Sequence, residues 1–232
     1  MAEGTAGTAY LAKPEGGEGP PVLFLHSWWG LTDAVKARVD WLAECGFTVL
    51  APGLLDGADP TDVVAATERL AADDTDATAA LILSSVVALR AHSSDPDGPV
   101  GIVGQSMGGS WALWVATRQP GSVAALVTHY GYQDIDFADM ECPVMCQFAE
   151  LDPLVSQDAA AEMSAMLRLD GREVAISNHV GVRHFFAEEG VPMLGPNGVT
   201  WDRNDIERRA SDQCWSATVE FLTNKLNPDH QS

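Results

Sequence analysis

The chain has 232 residues, 46% of them hydrophobic, and sets 13 Lys+Arg against 33 Asp+Glu for a formal net charge of −20. A chain of this size buries most of the surface that its unfolded form exposes without needing a second core, so one domain over residues 1–232 is expected. The acidic residues are spread along the sequence as on a solvated surface, and a field of that sign repels phosphate backbones and anionic lipid, which excludes nucleic acid and membrane surfaces as partners.

The opening stretch MAEGTAGTAYLAKPEGGEG has no basic segment followed by an apolar one, and no apolar run approaches membrane-spanning length. A cytoplasmic protein is expected. Residues 10–12 fit an antiparallel edge strand, with the Gly- and Pro-rich 14–20 as its turn. Short apolar runs at 21–26 (PVLFLH), 47–51, 99–104, 124–130, 143–149 and, more weakly, 174–177 predict strands. Between them lie candidate helices at 33–45, 62–72, 76–91, 107–118, 156–169 and 205–226, several starting at or beside an N-capping Asp or Ser. Alternation of this kind predicts an α/β fold, a mostly parallel central sheet with helices on both faces. Residues 190–202 (GVPMLGPNGVTWD) are expected to form a loop, and no insertion is long enough for a separate cap domain. Cys142 and Cys146 belong to an otherwise apolar stretch without the second ligand pair of a zinc site, so core packing is expected, with no metal and no cofactor.

The chemistry concentrates at 99–110, PVGIVGQSMGGS, where an apolar strand runs into Gly-x-Ser-x-Gly (Gly104, Ser106, Gly108) and then into a helix. A serine at that turn projects its hydroxyl above the strand ends, and the flanking glycines avoid collision with neighbouring backbone. A serine hydroxyl needs a base, and the base needs a carboxylate to set its tautomer. His184, in a short segment before the last helix, is the expected base. His179 is its rival, whereas His129 lies within a strand and His230 in the tail. Asp152, beyond the 143–149 strand and followed by Pro153, is the expected acid, with Glu150 the alternative by spacing. An oxyanion hole needs two N–H groups, assigned to Met107 beside the nucleophile and Trp28 in the loop after the first long strand. Trp28 and Trp29, at a strand end, are candidates for lining a substrate pocket, while Trp111 and Trp114 are expected in the core.

YLAKPEG near the start, LHSWWGLTD, APGLLDG, GQSMGGSWAL, FAELDPLV and GVRHFFAEEG together resemble the dienelactone hydrolase family of α/β-hydrolases over nearly the whole chain. The resemblance implies an α/β-hydrolase fold and hydrolysis of an ester or lactone. Two positions depart from the family's best-known members. They carry cysteine where this chain has Ser106, with a glutamate at the position of Ser27. They also hold a substrate carboxylate with arginines, one just after the histidine, where this chain runs Phe185-Phe186-Ala187-Glu188; by this correspondence Ser27 and Glu188, with Trp29, are the candidate substrate contacts. The resemblance with these departures implies a serine hydrolase for a neutral ester, lactone or thioester; a monomer or homodimer is expected. Acyl transfer or cyclisation at the same site is the alternative reading, and a non-catalytic binding protein on this scaffold is the third.

Overall fold

The computed structural model describes residues 7–55, 60–169 and 171–227. Its main sheet has seven strands in the order β1-β3-β2-β4-β5-β6-β7: β1 (Ala9–Ala12), β2 (Pro21–Leu25), β3 (Thr48–Pro52), β4 (Val100–Gln105), β5 (Val123–His129), β6 (Val144–Leu151) and β7 (Val174–Arg183). All neighbours pair in parallel except β1, which lies antiparallel on β3. Segment 14–20 therefore carries the chain past β3 to β2 and does not fold β1 back on its successor.

The period of two along each strand decides which face a side chain joins. Val22, Phe24, Val49, Val103 and Val127 pack under α1 (Asp33–Glu44) and the long C-terminal helix Asp205–Leu226. Leu23, Leu25, Leu50, Ile102 and Leu126 face the opposite way, against α3 (Thr75–Arg90), α4 (Met107–Arg118) and α5 (Gln157–Arg168). The short α2 (Val63–Ala71) precedes α3 and buries only Ala66 completely. With α2 and α3 to α5 named, the C-terminal helix is α6. Helix starts follow the polar residues before them: Thr32, Asp62, Asp74 and Ser156 each accept a backbone N–H of the first turn. At α6 Asn204 and Glu207 form a reciprocal capping box.

Two segments differ from expectation. β7 continues to Arg183, so His179 lies inside a strand and not beyond its end. Residues 190–202 are not an open loop but hold a two-stranded hairpin, β8 (Met193–Gly195) and β9 (Gly198–Thr200), closed by Pro196-Asn197. The hairpin meets the main chain at His184, whose N–H and C=O exchange hydrogen bonds with Leu194 at 3.0 and 3.3 Å. Cys142 and Cys146 are buried in the face beneath α5, and burial pushes both thiols up to about 12. No helix among the described residues is long and apolar enough to cross a membrane.

Candidate active site

The site gathers at the carboxyl ends of β4, β6 and β7, beside the loop after β2. β4 delivers Ser106, whose backbone is held at φ 50 and ψ −114 between the strand and α4. A non-glycine residue there is strained, and packing enforces it. Close approach is what Gly104 and Gly108 permit: a Cβ at Gly104 would meet Gly108 O at 2.3 Å, and one at Gly108 would meet Leu25 O at 2.0 Å. The elbow is thereby pressed against both the helix behind it and the end of β2.

β6 delivers Asp152, and the chain just after β7 delivers His184. His184 Nε2 lies 2.8 Å from Ser106 Oγ, and its Nδ1 lies 2.6 Å from Asp152 Oδ2. Asp152 Oδ1 accepts two backbone N–H groups, Leu154 at 2.8 Å and Val155 at 3.1 Å, which fixes the carboxylate and leaves Oδ2 for the histidine. With Nδ1–H donated to the carboxylate, Nε2 is bare and can take the serine proton. All three side chains are buried, and Phe185 packs edge-on to the His184 ring. Phe185 itself adopts φ 69, the turn that brings the histidine back over the sheet.

The other candidates are placed elsewhere. His179 Nε2 lies 2.8 Å from Gln147 Oε1, and its ring packs on Phe186. His129 is wholly buried edge-on to Trp215, and desolvation drives its pKa down to about 3. Its Nε2 faces Thr218 Oγ1, whose own proton goes to Cys214 O, so His129 is a neutral donor inside the core. Glu150 Oε2 accepts Gly181 N–H at 2.7 Å, at the exposed end of β6.

An open cavity of about 600 Å³ lies over Ser106. Trp28, Met107, Trp111, Trp114 and Leu154 form most of its apolar wall. Trp111 and Trp114, expected in the core, are only partly buried and meet edge to face at 5.4 Å along this wall. Asp76 is the single charged side chain lining it among the described residues. The N–H groups of Met107, the first residue of α4, and of Trp28 take no hydrogen-bond partner among the described residues.

Ser27, Trp29 and Glu188, the candidate substrate contacts, are not among the residues that line that cavity. Ser27 Oγ donates to Glu188 Oε2 at 2.6 Å, and Tyr130 Oη donates to Glu188 Oε1 at 2.9 Å. Burial pushes the Glu188 carboxyl up to about 7, against these two donors and the more distant Arg203. Trp29 is buried against Phe185 and Trp28. The three residues are pinned inside the protein because the loop after β2 folds onto the segment after His184. No periodicity or short motif signals a pairing between residues so far apart in the chain.

The family model for the dienelactone hydrolase family matches residues 8–226. Protein usf of Aquifex pyrophilus is 28% identical over 228 residues, covering 94% of this chain and 93% of that protein. The carboxymethylenebutenolidase of Rhodococcus opacus is 24% identical, over 96% of this chain and 88% of its own. Among solved structures, a dienelactone hydrolase-like promiscuous phosphotriesterase from metagenomic libraries superposes with a TM-score of 0.74 at 22% identity, covering 94% of this chain and 92% of that one.

Proposed function

The chain belongs to the dienelactone hydrolase family, and we propose that it is a serine hydrolase that cleaves a neutral, largely apolar ester or lactone through an acyl-enzyme. The reading is carried by one observation, the unbroken run Ser106 Oγ–His184 Nε2 and His184 Nδ1–Asp152 Oδ2 at 2.8 and 2.6 Å. Ser106 Oγ attacks the carbonyl carbon while His184 Nε2 takes its proton, and the buried Asp152 steadies the imidazolium that forms. The carbonyl oxygen becomes an oxyanion within reach of the N–H groups of Met107 and Trp28. Collapse breaks the C–O bond, and His184 returns the proton to the departing alkoxide. Water then enters by the same base and releases the acid.

Substrate charge follows from the wall. A substrate carboxylate would find no Lys or Arg among the described residues lining the cavity, and it would enter against a net charge of −20. Trp111 and Trp114 instead offer aromatic faces suited to an apolar acyl or alcohol group.

A fluorophosphonate probe should label the wild type at Ser106 and leave Ser106→Ala unlabelled, read by intact mass. A panel of neutral aryl esters and lactones should be hydrolysed by the wild type alone. Folded wild-type protein that takes up no probe would overturn the assignment.

A further inference from the structure

His26 follows β2 and is completely buried. Its ring bridges two pieces of backbone. Leu54 N–H donates to Nε2 at 2.9 Å, and Nδ1 lies 2.6 Å from Ser27 O. Because a backbone N–H can only donate, Nε2 must be bare and Nδ1 must carry the proton. The Ser27 carbonyl thus receives His26 Nδ1–H, and also Gly30 N–H at 3.2 Å across the turn.

The carbonyl of Ser27 and the N–H of Trp28 belong to one peptide plane, and in a trans peptide they point in opposite directions. Whatever holds the oxygen therefore aims the N–H. That N–H is free of any partner among the described residues, and Trp28 shares a cavity wall with Ser106 and Met107. The loop also begins against the elbow itself, since a Cβ on Gly108 would lie 2.6 Å from His26 O.

We propose that His26 is a positioning residue for the oxyanion hole: its Nδ1–H anchors the Ser27 carbonyl and so keeps Trp28 N–H turned toward Ser106, while Leu54 N–H keeps the ring in the one tautomer able to do this. The role rests on the hydrolytic reading above. Without the anchor the Ser27–Trp28 peptide keeps only the longer Gly30 N–H bond on its carbonyl, and it can turn over more readily to present an oxygen to the developing negative charge. A rigid ring with one donor and one acceptor on separate edges fits this task between two loops, and no charged side chain is needed. Ser27 is gripped independently on its hydroxyl by Glu188, so loss of His26 loosens the plane without releasing the loop.

The test compares His26→Phe, which keeps a ring without nitrogens, with His26→Gln, which retains a donor and an acceptor. With a neutral aryl ester, the Phe variant should lose about 10²-fold in kcat, the scale of one oxyanion donor, with KM within about twofold of wild type. The Gln variant should recover part of that rate. A folded Phe variant with wild-type kcat, or one whose loss lies in KM alone, overturns the role. Should the Phe variant fail to fold, nitrogen-15 NMR of the histidine-labelled wild type at neutral pH decides. A bare Nε2 with protonated Nδ1 supports the role, and the opposite tautomer overturns it. A wild type that reacts with neither fluorophosphonate nor ester overturns the hydrolytic reading and this role together, whereas a reactive wild type matched by its folded Phe variant overturns this role alone.

Discussion

Ser27 and Glu188 are 161 positions apart, and their 2.6 Å hydrogen bond joins the loop after β2 to the segment carrying His184. The Glu188 carboxyl titrates near 7 in the folded protein against an ordinary 4.5, because burial disfavours its charge. The folded state therefore keeps a proton that the unfolded chain loses from about pH 4.5 upward, and wild-type stability falls as pH rises through the window up to 7. Glu188→Gln stays neutral and can still pair with both hydroxyls. It should match the wild type near pH 4 and exceed it at pH 8 by up to about 3 kcal/mol, read from urea unfolding at the two pH values. A gap of the same size at both would sink the buried-acid account. At this scale the sequence was most legible where chemistry is local: Ser106 announces itself by glycines two positions to either side. Glu188 was legible only as an acid in an odd place, since nothing near it in sequence reveals the hydroxyls of Ser27 and Tyr130. His26 was hidden differently, as the polar last letter of an apolar strand whose two backbone partners leave no pattern.

Strands β2 to β6 and all six α-helices could be read from alternation, apolar runs and capping residues, to within a residue or two at most ends. β7 could not be followed beyond its first four residues. As an edge strand it has exposed positions on both faces, and Asn178, His179 and Gly181 interrupt its pattern. The β8–β9 hairpin leaves no signal in the sequence because its strands have three residues each, too few for a period to show. The far end of β7 is instead secured by a long-range ion pair. Arg183 donates from Nε and Nη2 to the two carboxylate oxygens of Glu207 at 2.5 and 2.6 Å, and the same Glu207 caps α6 through Asn204 N–H. Glu207 is fully buried. Arg183→Ala should accordingly cost about 3 kcal/mol by stranding that carboxylate, a fall in Tm on the order of 10 °C in a melting experiment. A change under about 2 °C would show that β7 and α6 are held by packing alone.

Across the whole molecule, charge acts where no single contact does. An excess of 20 negative charges surrounds a cavity lined by tryptophans and one aspartate. Raising ionic strength from about 0.01 to 0.15 M shortens the Debye length from roughly 30 to 8 Å. kcat/KM for an ester bearing a carboxylate should rise severalfold over that range, while an uncharged ester of the same shape keeps its value. Equal salt response for the two would mean that the global field does not reach the substrate. Composition foretold this field, whereas the cavity wall had to be seen: Trp111 and Trp114 have the spacing of a buried helical face and turn out to border open space.

Ser106, Tyr130, Asp152 and His184 stand at the ends of β4, β5, β6 and β7, one residue per neighbouring strand. These strands are joined by crossovers, so the four residues meet only after the chain has laid them down side by side in register. The nucleophile sits mid-sheet and the base arrives from the last strand at the rim. By the proposed mechanism, a partly assembled sheet would own a serine without its base and lose most of the activity. The proposed activity would then report on completed folding far more sharply than on any single element.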